Sequence, residues 1–335
     1  VARARRFLLN FLLLAVTVLV FAGVLEIALR LIFARSLDFS MEMWKYAVAL
    51  KRPSPNPRLS FAHVPNGSAF LMGVEVRTNS AGLRDREYSR EKPPGVFRIV
   101  ALGDSTTLGW GVPLEQTAAK ILERELNASG RGRFEVLNAG VGNYNTVQEV
   151  EHYLTYGRAF HPDLVILEYF INDAEPVPHE RNMGMLGHSY LAAFLISRYD
   201  ATLRLMGRRP QWREYYSNLY RDGAPGFEAA KDALRRLDEV TRADGTGLLV
   251  AILPELHQIG HDYPFAKEHR KIEDFLALLG VPAMDLIGGL RGGLSGGPES
   301  ALWVTPGDAH PNGKANALIV SQIAPWVLNR RAAQK

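Results

Sequence analysis

The chain has 335 residues, 47% of them hydrophobic and 22% charged, a composition that suits a globular protein with a sizeable core. It holds no cysteine, which excludes a thiol nucleophile, disulfides and thiolate metal sites. Its net charge of +4 lies entirely in residues 1–35, where five arginines meet one acid. The remainder carries equal numbers of basic and acidic side chains, so no nucleic acid partner is expected.

Residues 1–35 read as a membrane anchor. From Phe7 to Leu25 the clearly polar residues are Asn10 and Thr17. As a helix rising about 1.5 Å per residue, this stretch nearly crosses a hydrocarbon core about 30 Å thick. Arg3, Arg5 and Arg6 precede it, so the positive-inside rule keeps them in the cytoplasm and puts the rest of the chain outside. The alternative is a signal peptide cleaved after Val20-Phe21-Ala22. Residues 36–95 read as a linker and small hairpin extension. Pro53, Pro55 and Pro57 stiffen it, Pro65-Asn66-Gly67 marks a turn, and a hairpin is expected between Ser68 and Thr78.

From residue 96 to 335 the pattern changes to alternating strands and helices. Strands are predicted at 97–102, 134–137, 163–170, 247–253 and 281–286, and helices at 114–127, 146–156, 226–243, 263–279 and 312–328. Such alternation predicts a flavodoxin-like, doubly wound parallel sheet with helices on both faces. An insertion at 174–225 interrupts it. Its stretch Ser189–Met206 mixes Leu191, Phe194, Leu195 and Leu203 with Arg198 and Arg204. Two readings stay open there: a helix walling the active site, or a basic amphipathic helix on a membrane surface.

Ligands in sheets of this kind sit beyond the carboxyl ends of the strands. Three segments at predicted strand ends carry candidate chemistry: Gly103-Asp104-Ser105, the turn Asn138-Ala139-Gly140-Val141-Gly142-Asn143, and Asn172-Asp173. A serine after a buried strand is more often a helix cap than a nucleophile. Here, however, His310 is offered as its base, with Asp308 two residues before to orient the imidazole. Oxyanion donors are available in the Ser105 N–H, an N–H of the glycine turn, and the Asn172 amide.

The chain resembles the SGNH (GDSL-type) hydrolases over about residues 96–330. Gly103-Asp104-Ser105 matches the first block, Asn172-Asp173 the third, and Asp308-Ala309-His310-Pro311-Asn312 the fifth. The segment Thr78-Asn79-Ser80-Ala81-Gly82-Leu83-Arg84 and the apolar N-terminus resemble the membrane-anchored bacterial members. The resemblance implies a three-layer α/β/α fold and a serine esterase that needs no metal or organic cofactor. It implies catalytic Ser105, His310 and Asp308, with oxyanion donors at Ser105, Asn172 and either Gly142 or Asn143. Gly142 is favoured, since glycine takes positive φ most easily. The implied substrate is a short-chain, O-acetyl ester of a carbohydrate; an O-acyltransferase and a lipase or lysophospholipase remain alternatives. Phe170 stands where the third block usually has glycine, which is expected to alter packing only. Asp104 and Asp173 are expected to brace loops, His161 to cap, and His269 to sit on the surface or in packing. His257 and His261 have the spacing of a helical metal pair, but Pro254 and Gly260 argue against a helix there.

Overall fold

The computed structural model describes residues 2–178, 187–260 and 262–333. In chain order, α1 (Ala2–Phe33) and α2 (Phe39–Leu50) lead into two antiparallel pairs, β1 (Lys51–Pro53) with β2 (Phe61–His63) and β3 (Ser68–Leu71) with β4 (Val74–Arg77). The alternation follows with β5 (Val96–Leu102), α3 (Ser105–Leu108), α4 (Ala118–Ala128), β6 (Arg133–Asn138), α5 (Thr146–Thr155) and β7 (Leu164–Tyr169). Beyond it come α6 (Tyr190–Leu205), α7 (Trp212–Leu219), α8 (Pro225–Ala243), β8 (Gly247–Ile252), α9 (Ala266–Leu279), β9 (Ala283–Asp285) and α10 (Ile287–Gly293). A last antiparallel pair, β10 (Trp303–Thr305) and β11 (Asp308–Pro311), precedes the closing helix α11 (Gly313–Ala333). The helix expected from Leu114 starts at Ala118 instead, because the Thr117 side chain accepts the Lys120 N–H and caps it there.

Residues 49–178 and 210–333 form one compact unit around a five-stranded parallel sheet of order β6-β5-β7-β8-β9. This is the flavodoxin-like order, with β5 and β7 flanking the point where the winding reverses. Every residue of β5, β7 and β8 is buried, as expected of strands covered on both faces. Successive side chains alternate between two cores. Val100, Leu102, Val165 and Leu167 pack with residues of α5, α8 and α9. Ile99, Ala101, Leu164 and Ile166 pack with residues of α4, α10 and α11. The result is the three-layer α/β/α arrangement.

The larger unit begins at residue 49 and takes in the extension up to residue 95. The extension is part of the larger unit because it contributes to the core. Its Arg84 is 1% exposed and donates to the carbonyls of Leu108, Gly109 and Val112, holding the loop that follows α3. The neighbouring Asp85 pairs with Lys120 at 2.9 Å.

The other unit comprises residues 2–48 and 187–209, so the main helix of the insertion groups with the N-terminal helices. Within α1, Arg3–Phe33 is long and apolar enough to span a membrane, and none of its apolar window is buried. The Glu26 carboxylate caps α6 by accepting from Tyr190 N, Leu191 N and Ser189 Oγ. Further along, Phe33 meets Phe194 at 5.9 Å and Asp38 pairs with Arg198 at 2.7 Å. The rising register on both sides means that α6 runs beside α1 in the same direction, away from the apolar window.

Candidate active site

The site is assembled at the carboxyl ends of β5 and β7. Asp104 ends the β5 connection as the N-cap of α3, its Oδ1 accepting from the Thr106 N–H and hydroxyl at 2.8 Å each. That cap sets Ser105 at the first position of α3, 5% exposed. Across 205 positions of sequence, Ser105 Oγ lies 2.9 Å from His310 Nε2. His310 Nδ1 lies 2.5 Å from Asp308 Oδ1, and the His310 backbone N–H donates to the same oxygen at 3.1 Å. The Ser105 hydroxyl, the His310 ring and the Asp308 carboxylate are therefore in one hydrogen-bonded line.

The other Asp308 oxygen accepts from Trp110 Nε1 at 3.0 Å. Burial alone pushes the Asp308 carboxyl up; the hydrogen bonds and charge of His310, with help from Trp110, outweigh it and hold the carboxyl below its usual value. An ionised Asp308 is placed to stabilise positive charge on the ring beside it. Trp110 is 1% exposed, and its one sequence signal is its place five residues after Ser105.

Asn172 lies in the single turn Ile171–Ala174 that follows β7, and its Nδ2 donates to Asp104 Oδ2 at 2.9 Å. One side-chain carboxylate thus holds both the nucleophile's helix and the amide. Asp173 accepts from Thr146 Oγ1 at 3.1 Å and from Phe170 N at 3.3 Å, tying that turn to α5. Phe170 packs against both cores.

The glycine turn approaches α3 closely. A Cβ at Gly140 would collide with the Leu108 backbone nitrogen, and Val141 N donates to Gly103 O at 3.0 Å. The positive φ expected at Gly142 falls instead on Asn143, at φ 66°. Asparagine tolerates this region because its short amide can bond locally. Its Oδ1 accepts from Lys51 Nζ at 2.9 Å, so β1 of the extension reaches the turn.

Asp173, expected to brace its loop, is joined by two further buried carboxyls that lie outside every motif, Glu149 and Glu168. Burial, then the charges of neighbouring carboxylates including Asp104, push Glu149 and Asp173 well above the usual range. Glu168 is pushed up to about 7 by burial and Asp104, against the pull of Thr107 Oγ1, which donates to it at 2.6 Å. Glu168 interrupts an otherwise apolar strand, the one sequence signal that marks it.

Among the remaining candidates, His161 sits at φ 50°, ending the 157–160 turn. His269 is not on the surface; it is 4% exposed, between the Tyr263 hydroxyl at 3.1 Å and Asp285 Oδ2 at 2.9 Å. His257 pairs with Glu255, and His261 lies outside the described residues. Among the described residues no group of three or more acids and histidines converges as a metal site would.

Residues 101–318 match the model of the GDSL-like lipase/acylhydrolase family. The chain belongs to this family. It is thus an ester-hydrolysing enzyme of the GDSL type, with an N-terminal helix able to span a membrane. No curated protein matches it. Among solved structures, TesA is 17% identical, with 68% of this chain and 96% of that one covered at a TM-score of 0.44. A two-domain esterase active on acetylated mannans is 18% identical, with 70% and 49% covered at 0.45. A mutant of Axe2, an acetyl-xylooligosaccharide esterase from Geobacillus Stearmophilus, is 13% identical, with 71% and 95% covered at 0.46.

Proposed function

We propose that this GDSL-family enzyme removes short acyl groups, acetyl above all, from a carbohydrate through an acyl-enzyme on Ser105. The observation that carries the mechanism is the 2.9 Å approach of Ser105 Oγ to His310 Nε2, with Asp308 behind the ring. Ser105 Oγ bonds to the ester carbonyl carbon as its proton passes to His310. The oxyanion is received by the Ser105 N–H, an N–H of the Gly142–Asn143 turn, and the Asn172 amide. Collapse expels the alcohol, which takes the proton from His310. Water, deprotonated by His310, then releases the carboxylic acid and restores Ser105.

The carbohydrate part is supported by aromatic side chains in the same unit. Trp212, Tyr215 and Tyr216 on α7, and Trp303 on β10, are half-buried; Trp303 stands opposite Pro311, next to His310, and the Tyr215 hydroxyl donates to Glu175, three residues after Asn172. Such amphipathic rings suit sugars, which offer apolar C–H faces edged by hydroxyls. The three arginines before the apolar part of α1 support an extracytoplasmic catalytic unit held to the membrane by that helix. Rates on p-nitrophenyl esters of rising acyl length, with and without a glycan acceptor, test this reading. Acetate should be turned over best, and Ser105→Ala should lose at least about 10³-fold in kcat. Undiminished turnover in Ser105→Ala ends the Ser105 mechanism, and a preference for long acyl chains ends the acetyl assignment.

A further inference from the structure

The loop after β8 carries a second carboxylate–histidine pair outside the mechanism above. Glu255, 6% exposed, accepts from the His257 backbone N–H at 3.0 Å and from the His257 ring through Nδ1. The loop is pinned from below: Glu255 N donates to the Tyr263 hydroxyl at 2.9 Å, and that hydroxyl pairs with buried His269, which is anchored on Asp285. The His257 ring lies between two indoles, 4.8 Å from Trp303 and 5.7 Å from Trp212. Trp303 is fixed by donating from Nε1 to Leu256 O at 3.0 Å.

This cluster adjoins the reacting centre. Trp303 stands opposite Pro311 across the β10–β11 pair, next in sequence to His310, and the 256–258 turn packs against β11. While Glu255 is buried, the His257 side chain is 48% exposed, leaving its Nε2 edge available to a ligand. The hydrogen bond that the ring donates to Glu255 is the largest cause raising the pKa of His257, opposed by burial and reinforced by the charges of Glu255, Asp308 and Glu299. The cluster carries charge of both signs around its rings, Glu255 on the His257 side and Arg213 over the Trp212 ring at 5.1 Å, so its contact surface is chiefly aromatic.

We propose that Trp212, His257 and Trp303 form a subsite for the alcohol side of the ester, binding a neutral sugar ring beside the reacting carbonyl. Indole surfaces pack on the C–H face of the sugar, and His257 Nε2–H donates to a hydroxyl. The subsite rests on the carbohydrate-ester reading and adds to it the place where the sugar is held.

The test compares vinyl acetate, whose alcohol part is too small to reach the cluster, with peracetylated methyl xyloside, mannoside and glucoside, using the full chain in detergent. In His257→Ala the kcat/KM ratio of the best sugar ester to vinyl acetate should fall about tenfold, the drop carried by KM. His257→Gln, which keeps a donor, should recover part of it. An unchanged ratio, or a proportional loss on both esters, overturns the subsite. Wild-type cleavage of vinyl acetate with none of the three sugar esters removes the carbohydrate reading and the subsite together. Vinyl acetate cleavage that survives Ser105→Ala removes only the assignment of the nucleophile.

Discussion

The loop after β8 and the strand β11 use the same local device to different ends. In Asp308-Ala309-His310 and in Glu255-Leu256-His257 a buried carboxylate accepts from the backbone N–H and ring Nδ1 of the histidine two residues on. Both pairs present Nε2 outward. What separates them is what Nε2 meets: His310 faces Ser105 at 2.9 Å, whereas His257 stands half-exposed between indoles. The Asp308 carboxylate also has a buried tryptophan N–H fixing its second oxygen. An acid-x-His spacing therefore specifies a well-oriented imidazole and nothing more; the neighbour of the free nitrogen decides its chemistry.

The comparison breaks most visibly at the carboxylates. Asp308→Asn should lower kcat by about 10³–10⁴-fold, because the histidine loses its tautomer control and the anion that stabilises imidazolium. Glu255→Gln should cost less than about tenfold on the same ester. Steady-state kinetics on p-nitrophenyl acetate decide between them, and equal losses would mean that the two pairs share the chemical step.

A smaller effect is expected on the oxyanion side. Asn172→Ala should reduce kcat by about 10²–10³-fold with little change in KM, since the amide acts on charge that develops in the transition state. Next comes Trp110→Phe, which removes a single hydrogen bond to Asp308. About a three- to tenfold loss in kcat is expected, together with a shift in the pH–rate profile that a purely packing role would not produce. No shift in that profile would make Trp110 a packing residue only.

The strand ends and the block residues were legible because each is marked locally, by an apolar run followed by glycine, asparagine or an acid. The doubly wound parallel sheet followed from the alternation of strands and helices, whereas the order of its strands did not. Trp110 and Arg84 were not legible, since their partners are fixed by folding: Asp308 lies 198 positions from Trp110, and Arg84 bonds to backbone carbonyls that carry no sequence signal. The positive φ at Asn143 was misplaced for a related reason. Glycine is the easier residue there, but the close approach of the turn to α3 places the demand for a missing Cβ at Gly140. The grouping of α6 with the N-terminal helices depends on Glu26, which in sequence reads only as a lone acid near the end of an apolar stretch.

The comparison extends to a carboxyl with no histidine to hold it. Asp308 is kept ionised by its partners, whereas Glu168, 4% exposed with a hydroxyl as its partner, titrates near 7 in the folded enzyme instead of 4.5. Below pH 4.5 the group is protonated in both folded and unfolded chains and has no linkage effect. As pH rises, the unfolded chain loses its proton first, so stability falls until the pH passes about 7 and then levels off. The loss is on the order of 3 kcal/mol. Glu168→Gln keeps an acceptor for Thr107 and removes the titration. Its melting temperature should therefore exceed that of wild type at pH 8 and converge with it towards pH 4.5. A difference between the two proteins that stays constant over this range would mean that Glu168 is already ionised in the fold, like Asp308 and despite its burial.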